Sequence, residues 1–219
     1  TVNFQVYGNM EPQKAATEAV RETEGQILCQ NGEAVEAYYF STSAGVTSTD
    51  EIWGSDEAAP YLRSVPCKFD EEEPWSSWIV ELPWKMLEDR IREKGEGTVL
   101  RSVTVTRRSE SGAATALEAV SDKDSCIIEN EYEIRKFLAP VNCMITEKDG
   151  TETAGGSLLP SAYFELERTQ NGNLQVRGKG YGHGVGMSQT GADKMAEQGY
   201  DYREILDYFF RNITVENLG

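Results

Sequence analysis

The sequence predicts an α+β fold, in which a mixed sheet-and-helix core domain carries a smaller α+β lobe. Helical and strand patterns are interspersed along the 219 residues without the regular alternation of a doubly wound sheet. Two Asn-Gly pairs, at residues 31–32 and 171–172, each lie between two apolar runs and predict β-hairpins. We assign residues 1–74 and 157–219 to the core domain and residues 75–156 to the inserted or appended lobe.

The amino-terminal part predicts an extended entry and one helix. Residues 1–9 read as extended chain that ends in a Gly-Asn turn. The helix runs from Pro12, a favoured first helical residue, to Glu24, because Gly25 is a natural stop.

A hairpin and a long loop come next. Residues 26–29 and 33–40 form the two strands, and the polar residues 41–67 are rich in turn formers. Loops of this length in compact domains are often functional. The acidic run of residues 70–73 reads as a solvated face.

The rest of the chain predicts elements of both types. They are a helix from Pro83 to Gly95, strands around Val103 and at residues 116–120, a helix at residues 131–138, a surface loop at residues 147–156 and a second hairpin at residues 162–167 and 174–178. Two helices follow. Ser188 caps the first, and the second starts at Asp201, with Glu204 in capping-box position.

Charge and composition exclude several classes of partner. Lys and Arg total 21 against 37 Asp and Glu, so the net charge is −16, which repels nucleic acid and anionic lipid head groups. No apolar run approaches the roughly 20 residues of a membrane span, and no signal peptide is visible. Two disulfides and buried free thiols fit the four scattered cysteines equally well. These are Cys29, Cys67, Cys126 and Cys143.

The densest chemical signal is the glycine-rich segment from Gly178 to Tyr200. Its glycines let the backbone approach a ligand or another strand closely, and it matches no phosphate-binding loop. The segment presents His183, Ser188 and Gln189 at a bend before a helix. Neutral donors and acceptors of this kind suit the hydroxyl and amide groups of a sugar. The alternative is that His183 only bonds nearby backbone.

Two segments together resemble a known family. EAYYFSTSAGVTSTDEIWGS with PYLRSVP, within residues 36–66, and GKGYGHGVGMSQTGADKMAEQGYDYREIL, residues 178–206, are similar to the two blocks of SpoIID/LytB-type domains, named after sporulation stage II protein D. The closing DYFFRNITVENL also resembles the end of that family. The resemblance covers essentially the whole chain and is weakest between residues 75 and 156.

This resemblance implies a cell-wall function with no cofactor. Family members are peptidoglycan lytic transglycosylases of sporulation and engulfment, which bind glycan strands in a groove and prefer strands without stem peptides. They cleave the MurNAc–GlcNAc bond and leave 1,6-anhydromuramyl ends. One carboxylic acid suffices, because it protonates the bridging oxygen and then takes the proton of the muramyl C6 hydroxyl.

The resemblance also implies which residues line the groove. They are Tyr39, Ser41, Thr42 and Ser43 of the first block and Tyr181, His183, Ser188 and Gln189 of the second. Strand alternation places Tyr39 on the side of Ser41 and Ser43. A turn-stabilising role is the alternative for the hydroxyl residues, and Trp53 either stacks on a sugar or anchors the loop.

The catalytic residue is expected outside this sequence. In the family the catalytic Glu lies in a segment similar to E-M-P-…-E-A-L-K-A-Q-A-V-A-A-R-T-Y, upstream of where this chain starts, and Glu11 does not match it. We expect no metal site, because Asn3 and Phe4 stand where a family zinc ligand is expected. These residues alone are therefore expected to be inactive on purified glycan.

The expected partners are denuded peptidoglycan glycan strands. The alternative function is a non-catalytic peptidoglycan-binding activator of a cell-wall amidase, and a structural sporulation scaffold is a third interpretation. If an upstream helix normally covers part of the core, we expect self-association or pairing with that segment. The expected location is secreted or extracytoplasmic, in the cell envelope, with a membrane anchor upstream.

Overall fold

The computed structural model describes residues 11–95 and 97–218, which form an α+β fold as predicted. The helices are α1 Lys14–Glu22, α2 Trp84–Glu93, α3 Glu131–Phe137, α4 Gln189–Glu197 and α5 Tyr202–Phe209. The strands are β1 Gln26–Gln30, β2 Glu33–Ala34, β3 Tyr39–Phe40, β4 Trp78–Leu82, β5 Leu100–Arg108, β6 Ala114–Ser121, β7 Ser125–Glu129, β8 Met144–Glu147, β9 Glu152–Ala154, β10 Phe164–Arg168, β11 Leu174–Gly178, β12 Met187–Ser188 and β13 Thr214–Asn217. The predictions for residues 1–9, including Asn3 and Phe4, lie outside the described residues.

The chain divides into two compact units, the first being Thr1–Glu36 with Ile213–Gly219. In its described part, β1 pairs antiparallel with β2 and with β13. The predicted turn between β1 and β2 is confirmed, because Asn31 and Gly32 both have positive φ, as such a turn requires. Helix α1 also forms where predicted, and none of its residues is buried.

The second unit, Ala37–Asn212, is built on a five-stranded sheet in the order β10-β11-β4-β8-β9. Its neighbouring strands are all antiparallel. In register, Val176, Val80 and Ile145 form one row on the buried face. Strands on both sides of residue 156 share this sheet, while the division at residues 74 and 156 stays a prediction about domain organisation.

The core of the second unit lies between this sheet, the helices α2 and α3, and the antiparallel sheet β5-β6-β7. Helix α2 follows Pro83, as predicted, and buries Leu87 and Ile91 completely. These two residues lie four positions apart and therefore share one helix face. Strand β11 of the sheet ends at Gly178, where the glycine-rich segment of the candidate site begins.

Two strand predictions are corrected by the structure. The predicted strand of residues 33–40 is not continuous, since β2 ends at Ala34 and β3 pairs in parallel with β12. A parallel partner lies far along the chain, so a local hairpin pattern cannot reveal it. The predicted loop of residues 147–156 contains β9, which pairs with β8.

Two open questions from the sequence concern thiols and membrane spans. All four cysteines are free thiols, which decides between the two alternatives stated above. In the described part of the chain, no helix combines the length and apolar character that crossing a bilayer requires.

Candidate functional site

The glycine-rich segment runs directly beside the first block. Thr42 and Tyr181 exchange backbone hydrogen bonds of 3.1 and 2.8 Å. Further along, the Ser48 N–H donates to the carbonyl of Gly184 at 2.6 Å. Together with the pairing of β3 and β12, these bonds join residues 39–48 of the first block to residues 181–188 of the second.

Close approach of the two backbones explains two of the glycines. A Cβ on Gly186 would lie 2.1 Å from the Tyr38 carbonyl oxygen, and one on Gly180 would lie 2.8 Å from that of Thr42. Both glycines also have positive φ, of 80° and 75°, a region that other residues occupy only with strain. These glycines are therefore required for the contact between the blocks.

The buried carboxylate of Asp70 accepts hydrogen bonds from both blocks. Its Oδ1 accepts a hydrogen bond from Ser43 Oγ at 2.6 Å, and its Oδ2 accepts from the Ser43 N–H at 2.8 Å. Oδ2 also accepts from Ser188 Oγ at 2.6 Å and from Thr190 Oγ1 at 3.3 Å. Asp70 is completely buried, so the prediction that residues 70–73 form a solvated face is wrong at this position.

Three predicted groove residues belong to this buried structure. Ser43 and Ser188 are 1% and 0% exposed, and Thr42 is 2% exposed. Ser188 also caps α4 by accepting a hydrogen bond from the Gly191 N–H. The prediction that these three side chains line a glycan groove is therefore corrected, because they have no surface to offer a ligand.

His183 is half-buried, not the exposed imidazole that the sequence suggested. Its Nδ1 accepts a hydrogen bond from the Val185 N–H at 3.1 Å, and the ring also bonds the backbone of Tyr39. Loss of hydration on burial, followed by the nearby charge of Arg135, lowers the pKa of His183 to about 4. His183 is therefore neutral near pH 7 and holds the turn.

Trp53 packs in the same way as His183. Its ring makes edge contacts with Tyr38 at 5.0 Å and with His183 at 5.2 Å between ring centroids. Trp53 is half-buried in these contacts. This geometry favours the loop-anchor interpretation of Trp53.

Comparison with known proteins gives a family. Residues 61–186, more than half of the chain, match a family described as Domain of unknown function (DUF8618). Stage II sporulation protein D of Bacillus amyloliquefaciens is 31% identical over 92% of this chain, and the protein of the same name from Bacillus subtilis (strain 168) is 30% identical over 92%. The chain belongs to the SpoIID-type family.

A relative with a different name is also similar to this SpoIID-type chain. The Amidase enhancer of Bacillus subtilis (strain 168) is 23% identical over 98% of the chain. The chain spans 51% of each Stage II sporulation protein D and 34% of the Amidase enhancer. It therefore covers only about half, or less, of these curated relatives.

The remaining predicted residues of the SpoIID-type site reach the surface. Tyr39 and Tyr181 are 38% and 42% exposed, and Gln189 is exposed in the first turn of α4. Ser41 is half-buried, and its carbonyl accepts hydrogen bonds from the N–H and Oγ1 of Thr190. The surface thus offers two phenol groups and an amide, which donate and accept hydrogen bonds.

An aromatic neighbour of this surface was missed from the sequence. The ring of Trp75 lies 4.6 Å from that of Tyr181, centroid to centroid. Trp75 belongs to a short 3-10 helix, Pro74–Ser76, which is too short for a periodic sequence pattern to predict. We call exposed Tyr39, Tyr181 and Gln189, together with half-buried Trp75, the aromatic end of the site.

Metal binding has no support from the described residues. Within residues 11–95 and 97–218, no group of three or more His, Cys, Asp or Glu side chains is arranged to hold a metal ion. The chemistry available at the exposed surface is hydrogen bonding and aromatic contact.

Proposed function

We propose that this SpoIID-type chain binds peptidoglycan glycan strands at the aromatic end. The observation that supports it is the exposure of Tyr39, Tyr181 and Gln189 on a support that both blocks build around buried Asp70. Sugar rings offer apolar faces to aromatic side chains and hydroxyl groups to neutral donors and acceptors. A support held by buried hydrogen bonds keeps those side chains in position before the ligand arrives.

The names of the relatives support a cell-wall context for the proposed binding. Stage II sporulation protein D names a sporulation protein, and Amidase enhancer names a protein that acts with an amidase. We extend this context to the present chain and propose an extracytoplasmic location, because peptidoglycan lies outside the cytoplasmic membrane. The proposed role in sporulation is supported by the same names, and the proposed role in engulfment rests on the family resemblance of the two blocks.

The finer activity that we propose for the protein carrying this domain is lytic transglycosylation. It requires one carboxylic acid within reach of the bridging oxygen. Asp70 does not meet this requirement, because both of its oxygens accept hydrogen bonds inside the protein and none of its surface is exposed. The general acid is expected in the upstream segment that the family resemblance implies.

Activation of a cell-wall amidase is the second candidate function. It is favoured by the similarity to the Amidase enhancer, which extends over 98% of this chain. The two functions differ in a direct assay. An activator accelerates release of stem peptides by a purified wall amidase, whereas a transglycosylase produces anhydromuramyl ends without any amidase present.

Calorimetric titration with a chitooligosaccharide tests the glycan-binding proposal. Gln189→Ala removes one hydrogen-bonding group and should weaken binding about 2- to 13-fold, since one such bond contributes about 0.5–1.5 kcal/mol. Tyr181→Ala removes an aromatic contact and should weaken binding by a similar factor. Tyr132→Ala is the matched control, because Tyr132 is an equally exposed tyrosine on α3.

Circular dichroism of each variant must first show a folded protein. If Gln189→Ala and Tyr181→Ala both bind as the wild type does, the aromatic end is not the glycan site. If the wild type itself shows no binding to chitooligosaccharide or to insoluble peptidoglycan, the proposed function is wrong.

A further inference from the structure

Three adjoining cavities lie at the end of the five-stranded sheet where β8 and β11 terminate. Their volumes are about 330, 440 and 240 Å³, and Lys179 lines all three. The charged residues around them are Arg108, Lys148, Arg177, Lys179, Glu71, Glu147 and Glu165. We call these cavities together the cationic groove.

The charge of this groove differs from that of the rest of the chain. Four cations and three carboxylates line it, whereas the whole chain has 21 cations and 37 carboxylates. One of the three carboxylates, Glu147, is 8% exposed and accepts a hydrogen bond from Thr153. Arg108, Lys148 and Arg177 each pair with a carboxylate, whereas Lys179, among the described residues, forms no ion pair. An anion that approaches this acidic protein is therefore repelled over most of the surface and meets an uncompensated positive charge at Lys179.

The fold places the two lysines side by side. Lys148 directly follows β8, and Lys179 directly follows β11. Strands β8 and β11 lie on either side of β4 and both run antiparallel to it, so their carboxyl ends lie at the same end of the sheet. Two strand spacings separate them by roughly 10 Å, a distance that two flexible lysine side chains can close around one small anion.

The two lysines differ in their internal partners. Lys179 is exposed and, among the described residues, forms no ion pair. Lys148 Nζ donates to the Glu71 carbonyl at 2.6 Å and pairs with Glu72 at 2.9 Å, where the Glu72 side chain is 86% exposed. Exposed pairs of this kind contribute about 0–1 kcal/mol, so an incoming anion can displace Glu72.

Short backbone segments connect the two lysines to the aromatic end. The Lys148 N–H donates to the carbonyl of Pro74, the residue before Trp75, and Lys179 lies two residues before Tyr181. The ring pair of Trp75 and Tyr181 is therefore linked to both lysines through the backbone within one or two residues. A ligand that lies across both parts would combine a neutral sugar face with a nearby negative charge.

We propose that the cationic groove is a subsite for the carboxylate of an acidic amino sugar, held by Lys148 and Lys179 while the sugar ring lies at the aromatic end. This inference rests on the proposed glycan-binding function and adds a specificity to it. N-Acetylmuramic acid and N-acetylglucosamine form a matched pair of probes. They differ only by the lactyl ether carboxylate that N-acetylmuramic acid carries on O3.

Nuclear magnetic resonance titration with the two sugars tests the subsite. Two exposed charge contacts should make N-acetylmuramic acid bind about 3- to 10-fold more tightly than N-acetylglucosamine. The double variant Lys148→Gln with Lys179→Gln should lose this preference and keep its affinity for N-acetylglucosamine. Lys85→Gln with Lys94→Gln is the control, since it removes one ion-paired lysine of α2 and the exposed lysine directly after α2 and changes the net charge equally.

The other possible results of the titration each refute one part of the proposal. Equal binding of the two sugars refutes the carboxylate subsite and leaves the glycan-binding proposal intact. A preference that survives the Lys148 and Lys179 substitutions places the charge recognition elsewhere and refutes the groove. If glycerol 3-phosphate binds more tightly than N-acetylmuramic acid with the same lysine dependence, the ligand is a phosphate and the carboxylate assignment is wrong. If neither sugar binds while chitooligosaccharide or peptidoglycan does, the subsite is refuted and the proposed function stands. If none of these ligands binds, the proposed function is wrong as well.

Discussion

Replacement of Asp70 by Ala should destabilise the unit Ala37–Asn212 more than any surface substitution. The carboxylate accepts three hydrogen bonds of 2.8 Å or less, two from Ser43 and one from Ser188. In Asp70→Ala, the Ser43 N–H stays buried without its acceptor, which costs about 1–3 kcal/mol.

In Asp70→Ala, the hydroxyl groups of Ser43 and Ser188 can still donate to weaker acceptors. Ser43 Oγ lies 3.3 Å from the Cys67 carbonyl oxygen, and Ser188 Oγ lies 3.2 Å from that of Ser41. Their loss of a charged acceptor is therefore only partly offset, since bonds to charged groups contribute about 1.5–3 kcal/mol each. The expected total is about 2–5 kcal/mol, which corresponds to a fall in Tm of roughly 5–15 °C for a unit of this size.

Tryptophan fluorescence during thermal and urea unfolding measures this loss. All four tryptophans lie between residues 53 and 84, so the signal reports on this unit. Asp193→Ala, which removes an exposed carboxylate from α4, is the control and should change stability by no more than about 0.5 kcal/mol. Asp70→Asn keeps one acceptor oxygen and should lose about half as much as Asp70→Ala. A Tm for Asp70→Ala equal to that of Asp193→Ala would refute the reasoning.

Three further predictions concern single positions. Because the pKa of His183 is lowered to about 4 in the folded state and is near 6.5 in the unfolded state, the unfolded state takes up more protons as the pH falls through this window. Stability should therefore drop by about 1–2 kcal/mol between about pH 7 and pH 5, and urea midpoints for His183→Gln that still show this drop would contradict the assignment. Gly186→Ala should lower the Tm of the protein far more than Gly172→Ala, although both glycines have φ near 80°. A Cβ at residue 186 would lie 2.1 Å from a carbonyl oxygen, whereas a Cβ at residue 172 would meet nothing closer than 3.7 Å. Equal Tm values for the two variants would show that the blocks can move apart. Burial, with the charge of Asp70, raises the pKa of the Cys67 thiol to about 12, so iodoacetamide near pH 8 should label half-buried Cys143 and spare Cys67 in the native protein, and mass spectrometry that finds equal labelling would count against the packing described here.

Local pattern in the sequence determined most individual elements. Pro83 and the four-residue spacing of Leu87 and Ile91 predicted α2. The Asn-Gly pair at residues 31–32 predicted the first turn, and Asp201 with Glu204 forms the predicted capping box of α5. These signals work because the groups that interact are within four residues of each other, so neighbouring side chains decide the backbone conformation.

Family resemblance located the two blocks but not the role of each side chain. It named Ser43 and Ser188 as ligand contacts, whereas both hydroxyls point to a buried carboxylate. Asp70 lies in an acidic run whose other members are exposed or half-buried, and nothing in the run itself distinguishes it. Its burial depends on partners 27 and 118 residues away.

Only the tertiary structure decided which residues of the site face solvent and where the cationic groove lies. Residues 39–40 pair with residues 187–188 in parallel, a contact that brings together segments almost 150 residues apart. Lys148 and Lys179 come from strands that are separated in sequence and lie on either side of β4 in space. Exposure and the grouping of charges are properties of such long-range contacts, which no periodicity or motif spacing encodes. The sequence determined that this is a SpoIID-type chain, and the fold alone determined which of its polar groups are free to meet a ligand.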